Sequence, residues 1–201
     1  MDTPQPRTPH SRHLQNRAAD DLRFIRATME RAASFTAVPG WGTVAIALTA
    51  LATATLAARQ STETRWLLVW LGEAALAALI AAASIALKAR RLRVPLLRGS
   101  GARFLFGLGP PFIAAAILTF VLHRAGLYGL LPGLWLLLYG AGVVTGGAYS
   151  VRVVPAMGIC FMVLGTVALL LPIGARDAVM ALGFGGLHLA FGSIIAWKHG
   201  G

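Results

Sequence analysis

The sequence has little charge and almost no cysteine. Of its 201 residues, 12% are charged, which is roughly half the share found in a typical soluble domain. The single cysteine excludes a disulfide scaffold. Because 57% of the residues are hydrophobic, extensive disorder is excluded as well. The composition therefore predicts an integral membrane protein.

Acidic residues are also scarce, with 7 Asp and Glu against 18 Lys and Arg and a net charge of +11. Nucleic acid is not the expected partner, because no aromatic residue that could stack on a base lies within the basic segment 88–103. The distribution instead fits the rule that basic residues remain on the cytoplasmic side of a membrane. The lipid bilayer is therefore the predicted partner.

Six apolar stretches are long enough to cross a bilayer, for which a helix needs roughly 20 residues. They are predicted at about 40–58, 66–87, 104–122, 129–149, 154–172 and 179–197. The sequence thus predicts an all-α integral membrane protein with six transmembrane helices over 40–198 and a short amphipathic N-terminal helix. Fourteen of the 18 Lys and Arg residues fall on the side that holds both termini. This bias predicts that the N- and C-termini both lie in the cytoplasm.

The first 39 residues are polar and are predicted to form a cytoplasmic tail. No signal peptide is expected, because no short basic segment is followed at once by an apolar one. Residues 1–12 are rich in Pro, Ser and Thr, which favours disorder. From about 14–34, apolar residues recur at helical spacing and predict an amphipathic helix. Two interpretations are open: a helix on the inner leaflet or the bundle, or a docking helix for a protein partner or a second copy.

Glycine and proline predict two packing features within the spans. In the fourth span, Gly142 and Gly146 form a GxxxG pair, which is typical of close helix contacts in lipid. In the third span, Gly109 precedes Pro110 and Pro111, and prolines inside a helix remove backbone hydrogen bonds. Either the helix begins at Pro110, or it is broken there as in helices that line transporter sites.

Two ionisable side chains, Glu73 and His188, lie well inside the predicted spans. A carboxylate in hydrocarbon must face inward, pair or become neutral. Both residues lie roughly 10–13 Å from the same predicted membrane face, and Tyr139, Thr145 and Thr166 can add hydroxyls. One hypothesis is a buried pair that fixes the register of two helices. The other is a proton or cation site, with Glu73 as the carrier and His188 as its tuning partner.

No catalytic or metal-binding motif accompanies these residues. Cys160 has no second cysteine, and the histidines are not grouped with carboxylates. The sequence therefore predicts no enzyme, no cofactor and no metal site. It favours a small multi-pass inner-membrane protein with a structural, sensory or regulatory role through partners. The alternative is a small proton- or cation-coupled carrier or channel that uses Glu73 and His188.

Three stretches of the sequence are distinctive: 17–42 (RAADDLRFIRATMERAASFTAVPGWG), 131–158 (LPGLWLLLYGAGVVTGGAYSVRVVPAMG) and 183–192 (GFGGLHLAFG). Together they resemble a group of uncharacterised bacterial multi-pass membrane proteins of unknown function. The resemblance covers most of the chain and implies a six-helix membrane protein, but it implies no activity, ligand or site residue. Members of this group occur beside a small winged-helix regulator, so the resemblance implies a regulatory role by association.

Overall fold

The chain divides into two units, residues 1–34 and residues 35–201. A computed structural model describes Arg17 and the ranges 19–25, 28–29, 35–93 and 95–199. In the first unit the described residues are helical, and they fall within the amphipathic helix predicted at about 14–34. The other residues of that prediction, and residues 1–12, lie outside the described residues.

The second unit contains six helical segments that are long and apolar enough to cross a membrane, which confirms the predicted all-α membrane architecture. Five of them contain the helices α1 (Gly40–Ala57), α2 (Glu63–Leu92), α3 (Gly99–Arg124), α4 (Leu131–Gly147) and α5 (Val153–Leu170). The sixth span, Ile173–Lys198, contains α6 (Arg176–Met180), a π-helical segment (Ala181–Leu187) and most of α7 (His188–His199). Among the described residues, β-structure is limited to an isolated bridge between Phe35 and Ser150.

Two of the helices, α2 and α3, extend at both ends beyond the apolar stretches predicted from hydropathy. The clearest case is α2, which was predicted over 66–87 and covers Glu63–Leu92. The Thr62 hydroxyl accepts the N–H of Arg65 and caps its start, and Arg93 ends it in a left-handed conformation with φ 53°. Hydropathy locates the part of a helix that suits lipid, whereas backbone hydrogen bonding continues into the polar flanks.

The packing order places α2 and α3 at the two edges of the bundle. The α1 helix lies between α2 and the sixth span, and α4 lies between α3 and α5. Among the described elements, α2 packs extensively against α1 alone, while α3 packs against α4 and the short turn before it. The middle parts of α2 and α3 are therefore not joined to each other. We call the end with residues 88–103 the basic end, and the end with residues 58–62 the far end.

Both interpretations of the prolines in the third span are wrong. Helix α3 neither begins at Pro110 nor breaks there, but runs unbroken through Pro110 and Pro111. Pro111 has no N–H to offer the carbonyl of Gly107, four residues earlier. The Thr145 hydroxyl of α4 donates to that carbonyl at 2.6 Å, which is the shortest of its three carbonyl contacts; the other two, Ala141 at 2.9 Å and Gly142 at 3.1 Å, lie in its own helix. A hydroxyl from the neighbouring helix thus replaces a lost backbone bond, which is how membrane helices tolerate proline. Gly109 lies within the same continuous helix.

The two faces of α4 carry different glycines. The GxxxG pair faces α3: a Cβ on Gly146 would lie 2.8 Å from the Phe104 carbonyl oxygen. The opposite face packs on α5 through a second set, in which a Cβ on Gly140 would lie 2.6 Å from the Gly158 carbonyl oxygen. We call this second contact the glycine seam. Its glycines recur every seven residues within each helix, at Gly133, Gly140 and Gly147 of α4 and at Gly158 and Gly165 of α5.

Candidate functional site

A cavity of about 430 Å³ lies within the second unit and is lined by residues from all six spans. This volume falls in the range of pockets that hold small organic ligands. The lining is mainly apolar and aromatic. Its polar members are Thr43, Glu73, Thr119, Tyr139 and His188, together with the indole groups of Trp70 and Trp135.

The cavity opens sideways between α2 and α3. Every lining residue that is exposed belongs to these two helices: Leu71, Ala74 and Ala78 of α2, and Phe112 and Ala116 of α3. These positions lie near the middle of each helix rather than at its ends. In a membrane, an opening at this height faces acyl chains.

Stacked indole rings close the far end of the cavity. The rings of Trp66 and Trp135 are 5.8 Å apart and almost parallel, at 4°. The Trp66 indole N–H donates to Asp177 at 2.7 Å, and the Trp135 indole N–H donates to Thr119 at 2.8 Å. Arg176 also lies over the Trp66 ring, with its guanidinium carbon 4.7 Å from the ring centroid. The far end is thus held by hydrogen bonds from α2 to the sixth span and from α4 to α3.

The non-helical segment Phe35–Pro39, which we call the floor segment, closes the basic end. The sequence assigned it to the N-terminal tail, but it belongs to the second unit, and its last two residues line the cavity. Its first residue donates its N–H to the Tyr149 carbonyl and accepts the Ser150 hydroxyl at its own carbonyl, each at 2.6 Å. Lys88 donates to the Val38 carbonyl at 3.0 Å. The floor segment therefore touches both the cavity and the loops at the basic end.

Glu73 is 8% exposed and binds two hydroxyls of α1. Thr49 donates to Oε1 at 2.7 Å, and Thr53 donates to Oε2 at 3.0 Å. The described residues supply no Lys, Arg or His within salt-bridge distance of this carboxyl group. Glu73 has these partners instead of His188, because α1 packs between α2 and the sixth span.

The hydroxyls around Glu73 accommodate both of its protonation states. The Thr49 hydroxyl also lies 2.9 Å from the Ile46 carbonyl oxygen, to which it can donate. When it does so, its oxygen is able to accept a proton-bearing Oε1–H from Glu73, while Thr53 still donates to Oε2. Both oxygens of the carboxyl group therefore have a hydrogen-bond partner whether the group is ionised or neutral.

His188 is buried and is hydrogen-bonded to Phe184 and Tyr139. It is 2% exposed, and its Nδ1–H donates to the Phe184 carbonyl at 2.9 Å. Its Nε2 then accepts the Tyr139 hydroxyl at 2.5 Å. The ring centroid of Phe161 lies 5.0 Å from that of His188. Both imidazole nitrogens are thus occupied, and the hydrogen bond joins the sixth span to α4.

Trp70 is a cavity residue that sequence reasoning missed. It is 3% exposed, lines the cavity and lies one helical turn before Glu73 on α2. Among the described residues, its indole nitrogen is the one buried side-chain polar atom without a hydrogen-bond partner. An unpaired buried donor is costly, so this N–H suits an acceptor atom on a ligand. The spacing of Trp70 and Glu73, three residues apart, is the sequence signal that places them on one face.

The remaining predicted hydroxyls do not join this site. Thr145 bonds the Gly107 carbonyl, and Thr166 bonds the Met162 carbonyl of its own helix at 3.0 Å. Within the ranges that the structure describes, no three His, Cys, Asp or Glu side chains are grouped so that they could hold a metal ion. The chemistry of the cavity is therefore one carboxyl group, one unpaired indole N–H and an aromatic lining.

Comparisons with known proteins add no function to this site. No protein-family model, curated protein or solved structure matches the chain.

Proposed function

We propose that the protein is a small membrane-embedded binding protein with a sensory or regulatory role, and that it takes an apolar ligand from the bilayer. The observation that carries this proposal is the cavity that opens sideways between α2 and α3. A ligand dissolved among acyl chains reaches this opening without crossing water. We favour binding over an enzymatic role because the hydroxyls and the imidazole at the cavity are already hydrogen-bonded within the protein.

The sensory part of the proposal rests on the floor segment. Its residues Val38 and Pro39 line the cavity, and the chain leads from it directly into residues 1–34. A ligand that fills the cavity would press on this segment, and packed contacts carry such a displacement along the chain. We therefore assign the reporting role to the floor segment and the contact with a protein partner to the N-terminal unit.

The orientation in a bacterial inner membrane is part of the same proposal, with both termini in the cytoplasm. It is supported by the 14 Lys and Arg residues that lie in the N-terminal tail and at the basic end. In a Cys160→Ser background, a membrane-impermeant thiol reagent applied to intact cells should label Ser61→Cys and Gly126→Cys. Labelling of Ser100→Cys from outside would contradict the orientation.

The binding proposal is tested by filling the cavity. The protein is placed in lipid nanodiscs, and 1-pyrenemethanol is titrated while energy transfer from tryptophan to pyrene is recorded. Wild type should bind saturably. Ala77→Leu adds three carbons to a lining position of α2 and should weaken binding at least about tenfold.

Ala75→Leu is the matched control, because Ala75 is exposed on the same helix and does not line the cavity. It should bind pyrenemethanol as wild type does. Equal binding by wild type and Ala77→Leu would show that the probe is not in the cavity and would overturn the proposal.

The reporting role is tested by amide hydrogen exchange of the floor segment with and without saturating pyrenemethanol. Exchange at the backbone amides of residues 35–38 should slow, because a filled cavity removes the free space beside Val38 and Pro39. Ala77→Leu provides the control, since the probe should not alter its exchange. If the exchange rate of the floor segment is the same in wild type with and without saturating probe, this route of reporting is excluded.

The second candidate is a small proton- or cation-coupled carrier or channel that uses Glu73 and His188. The observation in its favour is that the Thr49 and Thr53 hydroxyls satisfy both protonation states of Glu73. In proteoliposomes, a carrier should accelerate efflux of a lipophilic amine when a pH gradient is imposed, and Glu73→Gln should abolish the acceleration. A binding protein should leave efflux at the rate of empty liposomes, which separates the two functions.

A further inference from the structure

We infer that the ligand of the cavity is a lipophilic cation, an apolar body that carries one protonated amine, with Glu73 as its counter-ion. This inference rests on the proposed binding function and names the chemical class of its ligand. It follows from the charge of the cavity, from its aromatic lining and from the one unpaired donor beside Glu73.

The two described partners of Glu73 carry no positive charge. Both are neutral hydroxyls, from Thr49 and Thr53, and the described residues bring no cationic side chain to the carboxyl group. A lone carboxylate in apolar surroundings must be neutralised by a proton or paired with a cation. Each threonine occupies one lone pair of one oxygen, so lone pairs remain for an ammonium N–H.

The aromatic lining suits the same ligand. Trp70 and Trp135 line the cavity on the side of the far end, and Phe112, Tyr139 and Phe184 line it elsewhere. A cation is attracted to the faces of such rings, most strongly to indole, and the effect grows when water is excluded. The unpaired Trp70 N–H provides a donor for an ether, hydroxyl or carbonyl oxygen on the ligand. A body that fills about 430 Å³ is accommodated.

A proton and the ammonium group compete for Glu73. The ligand enters from the acyl chains as the neutral amine; when it meets the neutral form of Glu73, the Oε1–H bond breaks, the proton passes to the amine nitrogen to form the ammonium, and the Thr49 hydrogen turns from Ile46 to the carboxylate. The titratable groups that face the cavity are Glu73 of α2, Tyr139 of α4 and His188 of the sixth span, and the lining residues of α1, α3 and α5 include none. Because Tyr139 and His188 bond each other, Glu73 is the group that makes this exchange.

The experiment compares three probes with one apolar body: 1-pyrenemethylamine (cationic), 1-pyrenemethanol (neutral) and 1-pyrenecarboxylate (anionic). Each is titrated into protein-loaded nanodiscs and corrected for its partition into empty ones. Wild type should bind the amine at least about tenfold more tightly than the alcohol and should reject the carboxylate. Glu73→Gln should lose the preference for the amine and retain the binding of the alcohol.

Asp21→Asn is the control for the loss of one negative charge, because Asp21 is exposed in the N-terminal unit and does not line the cavity. It should keep the preference of wild type. The ranking of the three probes on wild type needs no variant, so the inference can be tested even if Glu73→Gln does not fold.

The outcomes separate this inference from the proposed function. If wild type binds the amine and the alcohol equally well, the cationic ligand is excluded while the binding function stands. If wild type binds neither, both proposals are overturned. Failure of both probes, together with a disulfide between two copies of Ala116→Cys, would identify a second copy of the chain as the occupant of the opening.

Discussion

Small residues line both the glycine seam and the cavity opening, but the helices pack closely in the seam and stay apart at the opening. In the seam, a Cβ on Gly140 would lie 2.6 Å from the backbone of α5, so the absence of a side chain brings two helices together. At the opening, Ala74 and Ala78 of α2 face no neighbouring helix and border the cavity instead. A small side chain therefore produces a tight contact only where a second backbone fills the space beside it.

The anchors of α2 explain why this space remains open. At the far end, Glu63 pairs with Arg176, and Trp66 donates to Asp177, so α2 is tied to the sixth span. At the basic end, Lys88 donates to the floor segment. Held at both ends and packed against α1 along one side, the middle of α2 is kept away from α3. Substitutions in the seam, at the anchors of α2 and between α3 and α4 test this contrast between a closed seam and an anchored opening.

The largest effect is expected in the seam, from Gly140→Leu. Its side chain would collide with the backbone of α5, and overpacking of this kind costs about 3 kcal/mol or more in the free energy of unfolding when the neighbour cannot yield. The measurement is reversible unfolding in detergent micelles. Gly72→Leu is the control, because no atom lies within 4 Å of the missing Cβ of Gly72 on α2. Equal stability of the two variants would contradict the contrast.

An intermediate effect is expected at the far-end anchor. Asp177→Ala would leave the indole N–H of the fully buried Trp66 without its acceptor, at a cost of about 1–2 kcal/mol in the free energy of unfolding. Asp177→Asn retains an acceptor oxygen and should lose less. If both variants unfold like wild type, the hydrogen bond does not anchor α2, and another contact must keep α2 and α3 apart.

The fold could be predicted from the sequence because its main signal is local. A run of about 20 apolar residues suits a bilayer whatever lies beside it, so the six spans follow from composition alone. The order of helices in the bundle depends on contacts between distant residues. For this reason the hydrogen bonds from Thr49 and Thr53 of α1 to Glu73 of α2 could not be predicted from the sequence.

The candidate site could be predicted in part. Glu73, Tyr139 and His188 were selected because polar groups are rare in the spans, and all three line one cavity. Their pairing was not predictable, since it depends on α1 lying between α2 and the sixth span. The packing of α4 on α5 could have been predicted, because the seven-residue spacing of the seam glycines is visible in the sequence.

The smallest loss of stability is expected at the hydrogen bond between α3 and α4. Helix α3 forms one edge of the opening, and α4 forms one side of the seam. Thr145→Val removes the hydroxyl that bonds the Gly107 carbonyl and should lower the free energy of unfolding by about 0.6–1 kcal/mol. Thr166→Val, whose hydroxyl bonds only its own helix, should cost less.

A double-mutant cycle with Pro111→Ala shows whether the lost hydrogen bond causes this destabilisation. The substitution gives residue 111 a backbone N–H, which can donate to the Gly107 carbonyl. Thr145→Val should then cost almost nothing in the Pro111→Ala background, because the carbonyl has regained its partner within α3. An equal cost of Thr145→Val in both backgrounds would show that the threonine contributes packing alone. The continuity of α3 through its two prolines would in that case need no hydroxyl from α4.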